Sequence, residues 1–153
     1  MRRDYFDFKQ FSVANKLSAM PVSTDSVLIG AWCNVDDAFR ALDVGTGTGV
    51  IALMLAQRNP NLTVDAIDID ENSTLEASDN FANSPWSNRL NISLADFNDW
   101  QGKYDLVVSN PPFFIDGIHS PNVARASARH AQSLTYKQLI SHGFALLNDN
   151  GRL

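Results

Sequence analysis

The sequence predicts an α/β fold: a parallel sheet with helices on both faces, three layers in all. Three observations predict it. Short apolar runs alternate with segments of helical period, the connections between them are short, and four of the runs end in Asp43, Asp68, Asp96 and Asn110. Strands buried on both faces read as continuous apolar runs. Sheets of this kind bind ligands beyond the carboxyl ends of their strands, so the four polar residues are expected to converge on one rim.

The elements follow in order. Residues 1–35 are expected to form an N-terminal cover segment, in which Phe6, Phe8 and Phe11 of YFDFKQFSV pack on the core. Phe39 to Val44 is the first strand of the sheet, and GTGTG follows at once. Val50 to Arg58 has helical spacing and is closed by Asn59-Pro60. Leu62 to Asp70 reads as the second strand, Glu71 to Ser84 as a helix before Pro85, and Leu90 to Asp96 as the third strand. Tyr104 to Asn110 is the fourth strand, stopped by two prolines that cannot extend a ladder.

Ser133 to Gly151 reads as one helix, with Leu134, Leu139, Ile140, Phe144 and Leu147 on its apolar face and Asn150-Gly151 as its stop. The closing Gly-Arg-Leu looks like the start of a fifth strand. A four-stranded sheet would leave a buried-type strand at its edge. The expectation is therefore a single domain, 1–153, truncated after its fourth strand and the following helix.

Composition narrows the function. At 153 residues the chain suffices for one domain with a real core. Twelve basic against 17 acidic residues give a formal charge of −5, which counts against a dedicated nucleic-acid binder unless its cations are clustered. The single Cys33 excludes an internal disulfide and a zinc cluster, and a reduced cytoplasmic setting fits best. No signal peptide or membrane span is legible.

Two motifs carry chemistry. In LDVGTGTGV the spacing of Gly45, Gly47 and Gly49 is G-x-G-x-G, not the G-x-G-x-x-G of dinucleotide sites. Asp43 precedes the first glycine. A carboxylate there disfavours a pyrophosphate and favours an ammonium or sulfonium group, which points to S-adenosylmethionine. The turn residues Gly45, Thr46, Gly47 and Gly49 are candidate cofactor contacts. At the second strand end Asp68 is the candidate for the ribose hydroxyls, beside Ile69, with Asp70 the competitor or a helix cap. Asp96, with Phe97 beside it, is placed to meet an adenine amino group, or is an ordinary turn acid.

The second motif is Asn110-Pro111-Pro112-Phe113. The Asn110 amide oxygen and the Pro111 carbonyl are adjacent acceptors that could grip an NH2 group. Phe113 offers a face for a flat base. Acceptors aimed at both hydrogens favour a tetrahedral, nucleophilic nitrogen, so the chemistry is positioning and electrostatics.

Together these motifs resemble class I S-adenosylmethionine-dependent methyltransferases acting on amino or amide nitrogens. FDFKQFSV, AMPVSTDSVLIGAW, NPPFF and ARHAQSLTYKQLI look more closely like the bacterial tRNA1(Val) adenine-37 N6-methyltransferases. The resemblance implies a Rossmann-like seven-stranded sheet and cofactor contacts at Asp43, Gly45, Asp68 and Asp96. It also implies catalytic roles at Asn110 and Phe113, and Lys9, Gln10 and Phe11 as a lid over the cofactor. Serines 23 and 26 stand where the family has glycines around Thr24-Asp25. Arg129 and His130 are candidates for tRNA phosphate contact, while His119 and His142 have no assigned role. Trp32, Trp86 and Trp100 read as core or cover residues. Protein glutamine N5-methylation and rRNA guanine N2-methylation are the alternative reactions for the same Asn-Pro-Pro motif, and a non-catalytic cofactor-binding module is the alternative class.

Overall fold

The computed structural model describes residues 4–111 and 134–153. An antiparallel hairpin, β1 (Tyr5–Asp7) and β2 (Ser12–Ala14), precedes α1 (Thr24–Trp32). Then come β3 (Arg40–Val44), α2 (Val50–Arg58), β4 (Thr63–Asp68), α3 (Glu71–Ala82) and β5 (Leu90–Leu94). The chain closes with β6 (Tyr104–Ser109), a helix we number α4 (Tyr136–Ala145), and β7 (Leu147–Arg152). Strands β3 to β7 form one parallel sheet in the order β5-β4-β3-β6-β7.

Alternation along the strands separates two cores. Ala41, Val64, Ala66, Leu106 and Val108 face α2, which is buried from Val50 to Ala56, and the Ala77–Phe81 side of α3. Leu42, Val44, Ile67 and Val107 face the other way, against Phe97, Leu139 and Leu146. The helix ends are closed by side chains. Ser23 and Ser26 cap each other's backbone N–H at the start of α1, so the two serines serve as a capping box. Arg58 donates to the carbonyls of Gly30 and Cys33 at the end of α1, and Arg89 to those of Ala56, Asn59 and Leu62 at the end of α2. Among the described residues no helix is long and apolar enough to cross a membrane.

Three expectations are corrected. The single helix over 133–151 is a helix and a strand: the Leu146 carbonyl accepts from Tyr104 N–H at 2.9 Å, which starts the ladder with β6. Asn150, at φ 64°, and Gly151 lie in β7 opposite a register shift rather than ending a helix. The fifth strand, expected only from the closing Gly-Arg-Leu, starts earlier, at Leu147, and β6 lies inside the sheet. Of the predicted apolar face, Leu139 is buried while Ile140 and Phe144 are exposed, and Leu147 belongs to β7. Trp32, read as core or cover, is 85% exposed.

Candidate active site

The sheet register builds the rim. Val44 pairs with Ile67 on one side and Ser109 on the other, and Ile67 pairs with Ser93. One step further along, Gly45, Asp68 and Asn110 therefore follow the last shared pairs, with Leu94 opposite Asp68. Ser109 Oγ donates to the Val44 carbonyl at 2.9 Å, which ties the end of β6 to the glycine turn and delivers Asn110 beside it. Asn110 and Pro111 are half-buried. Pro112, Phe113, His119, Arg125, Arg129 and His130 lie outside the described residues.

The turn itself is braced from below. Gly45 and Thr46 N–H both donate to the Ile67 carbonyl, and Gly45, Gly47 and Gly49 all have positive φ. A Cβ placed on Gly45 would meet nothing within 4 Å, so the backbone is open to a ligand there. Asp43 sits one turn beneath, fully buried: its Oδ2 accepts from Thr46 Oγ1 at 2.7 Å and from Ala52 N–H at 3.2 Å. Its Oδ1 is buried without a hydrogen-bond partner. Burial pushes this carboxyl up to about 7, opposed by the Thr46 and Ala52 hydrogen bonds and reinforced by the negative charge of Asp68.

A pH dependence follows. Between about 4 and 7 the folded chain holds a proton on Asp43 that the unfolded chain has released. Stability from this group is full below that window and is lost as pH rises through it. The loss is roughly 4 kcal/mol between the limits. Urea unfolding at pH 5 and pH 8 is expected to show lower stability at pH 8, with a smaller difference in Asp43→Asn. Equal differences in the two proteins would exclude Asp43 as the source.

At the end of β4 the two acids have different work. Asp68 Oδ2 accepts from Gly47 N–H and Oδ1 from Asp70 N–H, each at 2.9 Å, so it supports the turn while each oxygen keeps a second lone pair. Burial raises its pKa, and those two N–H bonds oppose the rise. Asp70 caps α3 through Ser73 N–H, and Ile69 is exposed between them. Asp96 accepts from Asn98 N–H and Nδ2, which makes it the cap of a short turn at the β5 end. The Phe97 ring is not on the rim: it is buried edge-on against His142.

The N-terminal segment reaches the site, but not through the residues expected to form a lid. Lys9 and Gln10 are exposed at the hairpin turn, and Phe11 is buried, stacked on Phe8 and edge-on to Trp86. The loop that follows is what lies on the turn: a Cβ on Gly47 would come within 3.4 Å of the Met20 carbonyl and of Ser18 Oγ. Sequence reasoning missed this loop and its anchors, Glu76 and Asn80. The available signal was the helical spacing of polar Ser73, Glu76 and Asn80 in the predicted helix; the structure buries all three while Leu75 is exposed. A cavity of about 420 Å³ abuts the β6 end of the rim, lined by Ser109 with Ile29, Cys33, Leu106, Val108 and Leu139 among others; none of Asp43, Asp68, Asp96 and Asn110 lines it.

The methyltransferase small domain model matches residues 26–153. The chain is 46% identical over 154 aligned residues to a Bacteroides thetaiotaomicron protein named tRNA1(Val) (adenine(37)-N6)-methyltransferase, covering 99% of this chain and 65% of that one. A Photorhabdus laumondii protein of the same name is 43% identical, covering 99% and 64%. The chain thus spans about 65% of the length of the relatives it matches. Among solved structures, the O-methyltransferase of a Brevibacillus brevis trans-AT PKS multienzyme, in complex with S-adenosyl-L-homocysteine, superimposes with TM-score 0.60 at 17% identity, covering 82% of this chain and 38% of that one. TYW2 of P. horikoshii, in complex with MeSAdo, gives 0.56 at 16% identity, covering 67% and 40%. At such identities these two speak for the fold alone; the family model, matched over residues 26–153, shows that the chain belongs to the methyltransferase small domain family.

Proposed function

We propose that this protein transfers a methyl group from S-adenosylmethionine to the exocyclic N6 of adenine 37 in tRNA1(Val). The observation that carries the reading is the placement of Asn110 beside the glycine turn, one residue past the Val44–Ser109 pair. Two relatives bearing the corresponding name, at 46% and 43% identity over 99% of this chain, supply the substrate.

The residues present fit the cofactor. Asp43 Oδ1 is a buried acceptor lacking a partner, suited to a cationic group or a water bound to one. Gly45 leaves its backbone open, and the Asp68 oxygens retain lone pairs for ribose hydroxyls. Asp96 is the candidate for the adenine amino group. S-adenosylmethionine, when bound, supplies an electrophilic methyl group. Asn110 and Pro111 accept the two N–H bonds of the target amine and draw its lone pair out of conjugation; Phe113 stacks on the base. The amine proton leaves to solvent once the new N–C bond has formed, so no strong base is required. Arg58, Arg89 and Lys103 are engaged on main-chain carbonyls; Arg129 and His130 are the candidates for phosphate contact. We propose further that residues 1–153 all belong to one methyltransferase domain and that the protein works in the cytoplasm.

The test is incubation of the full-length protein with methyl-labelled S-adenosylmethionine and, in parallel, unmodified tRNA, rRNA or a translation-factor preparation, followed by digestion. Label is expected in N6-methyladenosine. Label in protein as N5-methylglutamine, or in N2-methylguanosine of rRNA, would overturn the substrate.

A further inference from the structure

We propose that Glu76 is a positioning residue for the cofactor site: from the buried face of α3 it fixes the 15–22 loop as a wall beside Gly47. The inference rests on the cofactor reading above. Glu76 is 2% exposed, on a helix face where an apolar residue would be expected. Its Oε1 accepts from the backbone N–H of Lys16 and of Leu17, the latter at 2.8 Å, and its Oε2 accepts from Ser18 N–H at 2.9 Å. Three successive N–H groups converging on one carboxylate set the path of this stretch of backbone.

The rest of the loop is tied to the same framework. Asn15 Oδ1 accepts from Val22 N–H at 3.0 Å and closes the loop at its ends. Ser18 Oγ takes a hydrogen bond from Ser73 Oγ at 3.1 Å and donates to the Met20 carbonyl at 3.1 Å. One helical turn beyond Glu76, Asn80 joins three pieces: its amide pairs with both backbone groups of Ala14 and donates to the Thr48 carbonyl of the glycine turn at 2.8 Å. The helix thus grips the N-terminal segment and the turn together. The contact so made is the approach of Ser18 and Met20 to Gly47, whose N–H is held by Asp68.

A Glu76→Gln side chain keeps one acceptor oxygen and turns an NH2 toward a backbone N–H, so at least one of the three bonds is lost. The expected result is binding of S-adenosylhomocysteine about tenfold weaker by calorimetry, measured where the variant is fully folded. Faster amide hydrogen exchange at residues 16–18 is expected alongside. Ser18→Ala leaves the Glu76 bonds in place and frees Met20; it is expected to weaken binding about threefold. The double variant should fall short of the product of the two effects, because both act through one loop.

Wild-type affinity in either folded variant would overturn the positioning role, as would unchanged exchange at residues 16–18 in Glu76→Gln. A wild-type protein that fails to bind S-adenosylhomocysteine would overturn the cofactor reading and this inference together. If Glu76→Gln does not fold, Ser18→Ala alone decides.

Discussion

Asn110→Ala is expected to lower the rate of methyl transfer by about 100- to 1,000-fold, the usual cost of removing one preorganised polar group from a reacting centre. Affinity for S-adenosylhomocysteine should stay within about twofold of wild type, because the loss falls on the transition state alone. The separation follows from position. The backbone of β6 is held by its ladder to β3 and by the Ser109–Val44 hydrogen bond, neither of which involves the Asn110 side chain. Calorimetry and single-turnover transfer on one preparation check both halves. Equal loss of binding and rate would make Asn110 a structural residue.

Gly49→Ala is expected to be the most damaging small change in the turn, and for a different reason. Gly49 starts α2 at φ 81°, and a Cβ there would lie 2.5 Å from Phe81 Cε1. The left-handed conformation costs roughly 1–2 kcal/mol for a residue with a side chain. Pushing Phe81 out of the core adds about 1–3 kcal/mol. A fall in Tm of about 5–15 °C is expected for a domain of this size. Gly45→Ala has the same kind of φ, 68°, but open space around its Cβ. It should cost only about 1–2 kcal/mol of stability and act mainly on cofactor binding. Thermal unfolding of the two variants separates these roles, and equal Tm values would refute the distinction.

The same contrast shows what was readable from residues alone. Elements whose pattern is local were legible: α2 runs over the predicted Val50–Arg58, and the glycine turn, Asp43 and Asn110 stand where strand ends were expected. Apolar periodicity and turn chemistry are encoded within a few residues of the element they describe. The segment after 133 was misread because Leu139, Ile140, Phe144 and Leu147 satisfy a helical period, while the strand there exists only through pairing with Tyr104, more than forty residues earlier. Phe97, expected beside Asp96 as a cofactor contact, is buried edge-on against His142, a packing that no local pattern announces.

The sequence by itself determined the α/β class, the order of strands and helices around the turn, and the polar residues at the strand ends. Each depends on steric and hydrophobic rules acting over short stretches of chain. Only the tertiary structure decided that Asp68 supports Gly47, that Asp70 is a helix cap, and that Glu76 and Asn80 bind the N-terminal loop to the site. A buried carboxylate or amide must be satisfied by whatever donors the fold delivers, and those donors come from chain positions up to 66 residues away, as Asn80 and Ala14 are.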